Sequence, residues 1–277
     1  MRLGAPVPFD LVNPQDYILD TVKHGYRCVG WPIANPIGCD VQQLLQTELG
    51  NHDIMIAEVG AWSNPLSPNR DTRRDAIAYC KSRLALADEV NAACCVNIAG
   101  SRGDRWDGPS ALDFEPDTFD MIVEVVQEII DAVKPKRTFY TLETMPHMMP
   151  SSLTDYQRLL DAVNRPAFAV HFDPVNMLTS PGVFFNHIGM IQEFVGHFGS
   201  KIKCIHLKDA AIVAGFPVAI QECAPGLGVL DLSRVLHVFS SIPHDICILL
   251  EHLTTEQAYR DAVLAVRSAA HQGGYIL

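Results

Sequence analysis

Glu143, Asp173, His206 and Glu251 have the types and the placement to hold a cation. Each stands at the end of a short apolar run: Tyr140-Thr141-Leu142-Glu143, Val170-His171-Phe172-Asp173, Cys204-Ile205-His206 and Leu249-Leu250-Glu251. A single polar residue in such a place reads as a cap for the next helix. Four polar exits from four successive runs are hard to explain that way. Carboxylates crowded at one mouth repel one another, and each is costly to keep charged where it is partly buried. A divalent cation removes that repulsion. Three carboxylates with one imidazole suit Mn2+, Mg2+, Co2+ or Zn2+. One divalent ion, with Mn2+ placed ahead of the others, is the expected cofactor.

For these residues to meet, their strands must be parallel and must all exit on one side. The rest of the chain predicts that arrangement. Short runs rich in β-branched residues fall at 3–7, 26–31, 53–59, 93–98, 138–142, 167–172, 202–207 and 246–250. Helical patterns follow at 14–24, 40–49, 69–90, 117–133, 152–163, 187–197, 232–239 and 255–271. Asn13 before Pro14 suits a helix start, as does Thr254 or Thr255 before the last helix. The stretch 210–228 shows no regular period. Strands alternating with helices build a parallel sheet from βαβ units. Eight units in 277 residues predict one α/β domain over 1–277, a (β/α)8 TIM barrel rather than an open sheet. No glycine-rich dinucleotide fingerprint follows the first strand.

The order of these exits resembles the xylose isomerase-like superfamily of sugar isomerases and epimerases. The phrases that carry the resemblance are Glu143-Thr144-Met145-Pro146, His171-Phe172-Asp173-Pro174-Val175-Asn176, Ile205-His206-Leu207-Lys208-Asp209, Pro225-Gly226-Leu227-Gly228 and Leu250-Glu251-His252-Leu253. They lie within residues 90–265, and the first third of the chain matches more weakly. The resemblance implies that Glu143, Asp173, His206 and Glu251 are the metal ligands. It further implies that Glu143 and Glu251 act as acid and base. One would take a proton from the carbon beside a carbonyl, and the other would return one from the opposite face. The metal would stabilise the enediolate oxygen.

Two positions differ from the ketose 3-epimerases of that superfamily. Asn176 stands where they usually carry histidine, and Lys208-Asp209-Ala210 replaces a run that usually leads to arginine. Lyases and dehydratases acting on an inosose or 3-keto sugar therefore stay open beside isomerases. A sugar-binding barrel without activity is a third reading, disfavoured by the intact set of four ligands. The nuclease branch, with its larger histidine cluster, fits neither the acidic charge nor the sparse histidines.

Other residues on the same face are candidate substrate contacts. Lys208 lies two residues past His206 and points to the same side, either toward substrate or onto a carboxylate. His171, two residues before Asp173, is a substrate contact, a group behind the site or an interior histidine. Asn176 is a polar contact by its motif position. His147, Trp62 and Trp106 lie on loops at the exit face, where the tryptophans could stack on a sugar ring. Arg102 follows the fourth strand and could bind an anionic group. Glu58 leaves the third strand as a helper or a buried partner. Glu222 could reach the site or stay a surface acid.

Composition narrows the partners. The formal charge of −11 and a single basic cluster at Arg70, Arg73, Arg74, Lys81 and Arg83, read as a solvated helix face, argue against nucleic acid. At 48% hydrophobic and 19% charged the chain can bury a large core. No run is long and apolar enough for a membrane span, and the first residues lack the apolar stretch of a signal peptide. The eight cysteines, several inside apolar runs and none in a CxxC pair, read as reduced thiols. A cytoplasmic protein with a small sugar or keto-polyol substrate is expected. The resemblance adds a homodimer or homotetramer.

Overall fold

The computed structural model describes residues 1–32 and 38–277. In chain order, the first half holds β1 (Arg2–Gly4), α1 (Pro14–Lys23), β2 (Cys28–Gly30), α2 (Cys39–Asn51), β3 (Met55–Gly60), α3 (Arg70–Glu89), β4 (Cys94–Asn97), α4 (Pro116–Val133) and β5 (Tyr140–Glu143). The second half holds α5 (Leu153–Val163), β6 (Phe168–Phe172), α6 (Pro181–Phe185), α7 (His187–Phe198), β7 (Ile202–Leu207), β8 (Asp209–Val213), β9 (Ala219–Cys223), α8 (Leu232–Phe239), β10 (Cys247–Leu250) and α9 (Glu256–Gln272). A 3-10 turn at Ala111–Phe114 precedes α4. No helix among the described residues is long and apolar enough to cross a membrane.

Eight strands form one parallel sheet in the order β1-β10-β7-β6-β5-β4-β3-β2. The sheet curls into a nearly closed (β/α)8 barrel. Its seam lies between β1 and β2, where the Arg27 N–H donates to the Leu3 carbonyl at 2.9 Å. The backbones come close enough there that a Cβ on Gly4 would fall 2.0 Å from the Cys28 carbonyl oxygen. Glycine at that position is therefore a condition of closure. β1 stops at Gly4 rather than continuing to 7, since Pro6 and Pro8 have no N–H to extend a ladder.

Two sets of apolar residues hold the barrel. Cys28, Ala57, Cys94, Val96, Cys204, Cys247 and Leu249 form a cluster of their own, drawn from the barrel strands, with the cysteines packing as small apolar groups. A larger core includes Leu84, Ile129, Leu159, Phe194, Leu236 and Val266 from the helices. Asn69, Ser152, Asp231 and Thr255 cap α3, α5, α8 and α9 through their side chains. Asn13 makes no such bond, and α1 begins on Pro14 alone. Arg83 departs from the solvated face expected of its helix. It is 4% exposed, and its Nε donates to the Gly60 carbonyl at 2.9 Å.

The stretch 210–228 contains an element that its sequence does not reveal. β8 and β9 pair as an antiparallel hairpin that places Glu222 opposite Ala210. The buried carboxylate of Asp209 organises it, accepting N–H groups from Ala210, Gly226, Gly228 and Leu230 at 2.8–3.0 Å. Glu222 is thereby returned to the barrel mouth.

A similar device ties α3 to the segment entering β5. Asp88 Oδ1 accepts the N–H groups of Lys136, Arg137 and Thr138 at 2.8, 2.6 and 3.3 Å. Burial would raise this carboxyl, but the three backbone donors and the Arg137 charge hold it below its ordinary value. A depressed carboxyl stabilises the fold above its unfolded pKa of about 3.9 and loses that contribution as pH falls through its folded value. The stability difference between the wild type and Asp88→Asn, measured in urea, should be constant from pH 7 to about 5 and shrink below about 4. A difference that persists unchanged to pH 2 would show that the charge of Asp88 is not its source.

Candidate metal centre

Parallel strands bring the four polar exits to one end of the barrel. Glu143 closes β5, Asp173 follows β6, His206 lies in β7 and Glu251 follows β10. One potential ligand atom from each lies within 4.8 Å of the others. His206 Nδ1 is 2.9 Å from Glu251 Oε2 and 3.4 Å from Glu143 Oε1. The turn after β6 satisfies one oxygen of Asp173, whose Oδ1 accepts the N–H groups of Val175 and Asn176 at 2.9 and 3.1 Å. Oδ2 is left for another partner.

These residues fit a cation. His206 Nδ1, Asp173 Oδ2 and Glu251 Oε1 are buried and make no aligned hydrogen bond. Lys208 Nζ is close to the two oxygens, at 2.8 Å from Asp173 Oδ2 and 2.7 Å from Glu251 Oε1, so the contact there is one of charge. Buried donor atoms without directional partners are uncommon. Three of them facing one small space could hold a cation.

The electrostatics follow from how closely these charges are packed. Burial pushes the Asp173 carboxyl up to about 7, against the pull of Lys208 and with the help of Glu143 and Glu251. Burial would also raise Glu251, yet the His206 ring and Lys208 hold it well below the carboxylate range. His206 is driven up: burial opposes its charge, but Glu251, Glu58 and Glu143 outweigh that cost. Burial likewise lowers and its carboxylate neighbours raise Lys208, with a net rise.

A cavity of about 790 Å3 opens above this cluster, within the size range of small-molecule sites. Glu143, His206, Lys208 and Glu251 form part of its lining. Asn176 lies on its wall and donates to Glu143 Oε1 at 3.2 Å. His147 is there too, with Nε2 2.9 Å from the Asp107 carbonyl. Trp62 and Trp106 line it as expected of loop aromatics on this face, and Trp31 joins them. Sequence reasoning does not single out Trp31, although its place directly after β2 was the available signal. Glu222 completes the rim, 3.1 Å from both Lys208 Nζ and His252 Nδ1.

Two expected substrate contacts lie elsewhere. Arg102 is absent from the cavity wall. Its Nη1 donates to Asp117 Oδ1 at 2.7 Å and Thr118 Oγ1 at 2.8 Å, tying the loop after β4 to the start of α4. His171 is fully buried below the cavity, and its Nε2 is 2.9 Å from Glu58 Oε2. It can touch the site only through other side chains.

Comparison with known proteins agrees with this architecture. The family model described as xylose isomerase-like TIM barrel matches residues 18–269. No curated protein matches the chain. Among solved structures, a D-tagatose 3-epimerase-like protein superposes with a TM-score of 0.74 at 15% identity, covering 99% of this chain and 98% of that one. D-psicose 3-epimerase from Clostridium cellulolyticum H10, solved with D-tagatose, gives 0.71 at 14% identity, covering 100% and 99%. A protein described as the probable 3-DHS dehydratase AsbF of Bacillus anthracis gives 0.69 at 14%, covering 95% and 94%. At these identities the likeness is one of fold.

Proposed function

The chain belongs to the xylose isomerase-like TIM barrel family, and from that premise we propose that it is a divalent-metal-dependent isomerase or epimerase of a small sugar or keto-sugar. The observation that carries the reading is the placement of two carboxylates about one imidazole. Glu143 and Glu251 come from β5 and β10, which β6 and β7 separate in the sheet, yet both reach His206 Nδ1. They approach the same point from different sides of the mouth. Proton removal from one face of a carbon and return to the other needs such a pair.

Glu143, Asp173, His206 and Glu251 would hold the ion, with Mn2+ proposed first and Mg2+, Co2+ or Zn2+ compatible with the donors. When bound, it would polarise the substrate carbonyl and stabilise the charge of the enediolate oxygen. Glu143 and Glu251 would move the protons. Asn176 orients Glu143 through its amide N–H. Lys208 offers a fixed positive charge to substrate oxygens, His147 a ring edge, and the tryptophans an apolar wall for a sugar ring. A cytoplasmic homodimer or homotetramer accompanies this reading.

A second reading, a lyase or dehydratase on an inosose or 3-keto sugar, is favoured by Lys208. Its ammonium lies between Glu251 and Glu222 and could stabilise the negative charge that develops on a departing hydroxyl. Fold likeness to a dehydratase as well as to epimerases is in keeping with both.

Turnover of ketoses, inososes and 3-keto-glycosides in D2O with Mn2+ separates the two. Epimerisation should place deuterium at a carbon beside the carbonyl with no loss of water, whereas a lyase should give an unsaturated product. Metal analysis tests the shared premise. The wild type should carry a divalent ion that Glu143→Gln and Asp173→Asn lose or weaken, and a wild type without one would end both readings.

A further inference from the structure

Beside His206, on the cavity wall, stands a carboxylate that the proposed chemistry does not use. Glu58, on β3, is 9% exposed. Its Oε2 is 2.9 Å from His171 Nε2 and 3.1 Å from His206 Nε2. The two rings meet edge to face, with centroids 4.2 Å apart and planes at 81°. Both Nε2 atoms thus converge on one oxygen. An ionised carboxylate can only accept, so each imidazole must donate from Nε2. An imidazole whose Nε2 keeps its proton can take an ion only at Nδ1. In His206 that is the atom facing Glu143 and Glu251, and it has no aligned partner.

We propose that Glu58 is the positioning residue of the metal centre, fixing the His206 ring and keeping its proton on Nε2 so that Nδ1 is the atom presented to the ion. His171 braces Glu58 from the other side, which accounts for a fully buried histidine directly below the site. Metal-bound histidines commonly donate their second nitrogen to such an acceptor, and its loss weakens metal binding about 10–100-fold. Glu58, His171 and His206 could themselves be read as a second cation site, since their donor atoms are equally close. That site would have to share the His206 ring with the first, and Nε2 would have to give up its proton. One carboxylate bridging two N–H donors needs neither.

The inference rests on the metal reading, and the experiment separates the two. Mn2+ is titrated calorimetrically into the wild type, Glu58→Gln and Glu58→Leu, and His206 coordination is read by 15N NMR of the Zn2+-loaded proteins. The wild type should bind one ion, with His206 coordinated through Nδ1 and protonated at Nε2. Glu58→Leu should bind about 10–100-fold more weakly and lose the unique coordination mode. Glu58→Gln, whose amide oxygen still accepts, should keep Nδ1 coordination and weaken binding by a smaller factor. Wild-type affinity in either variant would overturn the proposal, so Glu58→Gln decides it if the leucine variant does not fold. A second ion bound by the wild type and lost on replacing Glu58 would also overturn it. A wild type that binds no ion would overturn the metal reading itself, a distinguishable result.

Discussion

Glu143→Gln and Glu251→Gln should each lower kcat on the proposed keto-sugar substrate by about 10²–10⁴-fold, the usual contribution of a positioned acid or base. Glutamine keeps the shape and an oxygen donor, so part of the ion affinity should survive and saturating Mn2+ should load the variants. The loss then belongs to proton transfer. Two carboxylates on different sides of the mouth make a sharper demand. Each epimer presents its proton to one of them. In one variant, then, solvent deuterium should still enter one epimer while conversion to the other stops, and the second variant should show the reverse preference. Loss of less than tenfold with the ion bound would remove Glu143 and Glu251 from the chemistry. Loss of exchange from both epimers in both variants would instead mark them as ligands alone.

The four candidate ligands were legible in the sequence because a parallel barrel leaves little freedom at strand exits. A polar residue closing an apolar strand must emerge at the mouth. Depth was less legible. His171 precedes Asp173 by two residues and shares its side of the strand, which is what alternation predicts. Two residues along a strand also span about 6.6 Å. That distance moves His171 a layer down, where it meets Glu58 rather than a substrate. Lys208, two residues past His206, moves the other way and reaches the rim. Arg102 was not legible, since its position depends on Asp117 and Thr118, fixed by a loop with no period to read. The β8–β9 hairpin was hidden for a similar reason. Its organiser, Asp209, binds backbone N–H groups up to 21 residues away, and such pairings leave no mark on residue types.

Lys208→Met should have its largest effect before any substrate is present. Lys208 is 3% exposed, and its ammonium faces Asp173, Glu251 and Glu222 at 2.8, 2.7 and 3.1 Å. Methionine replaces the stem with an unbranched apolar chain of similar reach, but the carboxylates lose their only lysine or arginine partner in the described residues. Breaking a buried pair in this way costs about 3–5 kcal/mol, on the order of 10 °C in Tm for a chain of this size. The metal-free variant should therefore melt well below the metal-free wild type. A dication between Glu143, Asp173 and Glu251 supplies the missing positive charge, so saturating Mn2+ should raise the Tm of the variant by more than that of the wild type. By linkage, the larger shift means tighter binding relative to the metal-free fold. A lysine that served only as a substrate contact would behave otherwise: both metal-free proteins would melt together, and the substitution would appear in KM alone. The pair of melting curves, with and without Mn2+, thus distinguishes a lysine that holds the carboxylates apart from one that waits for a sugar.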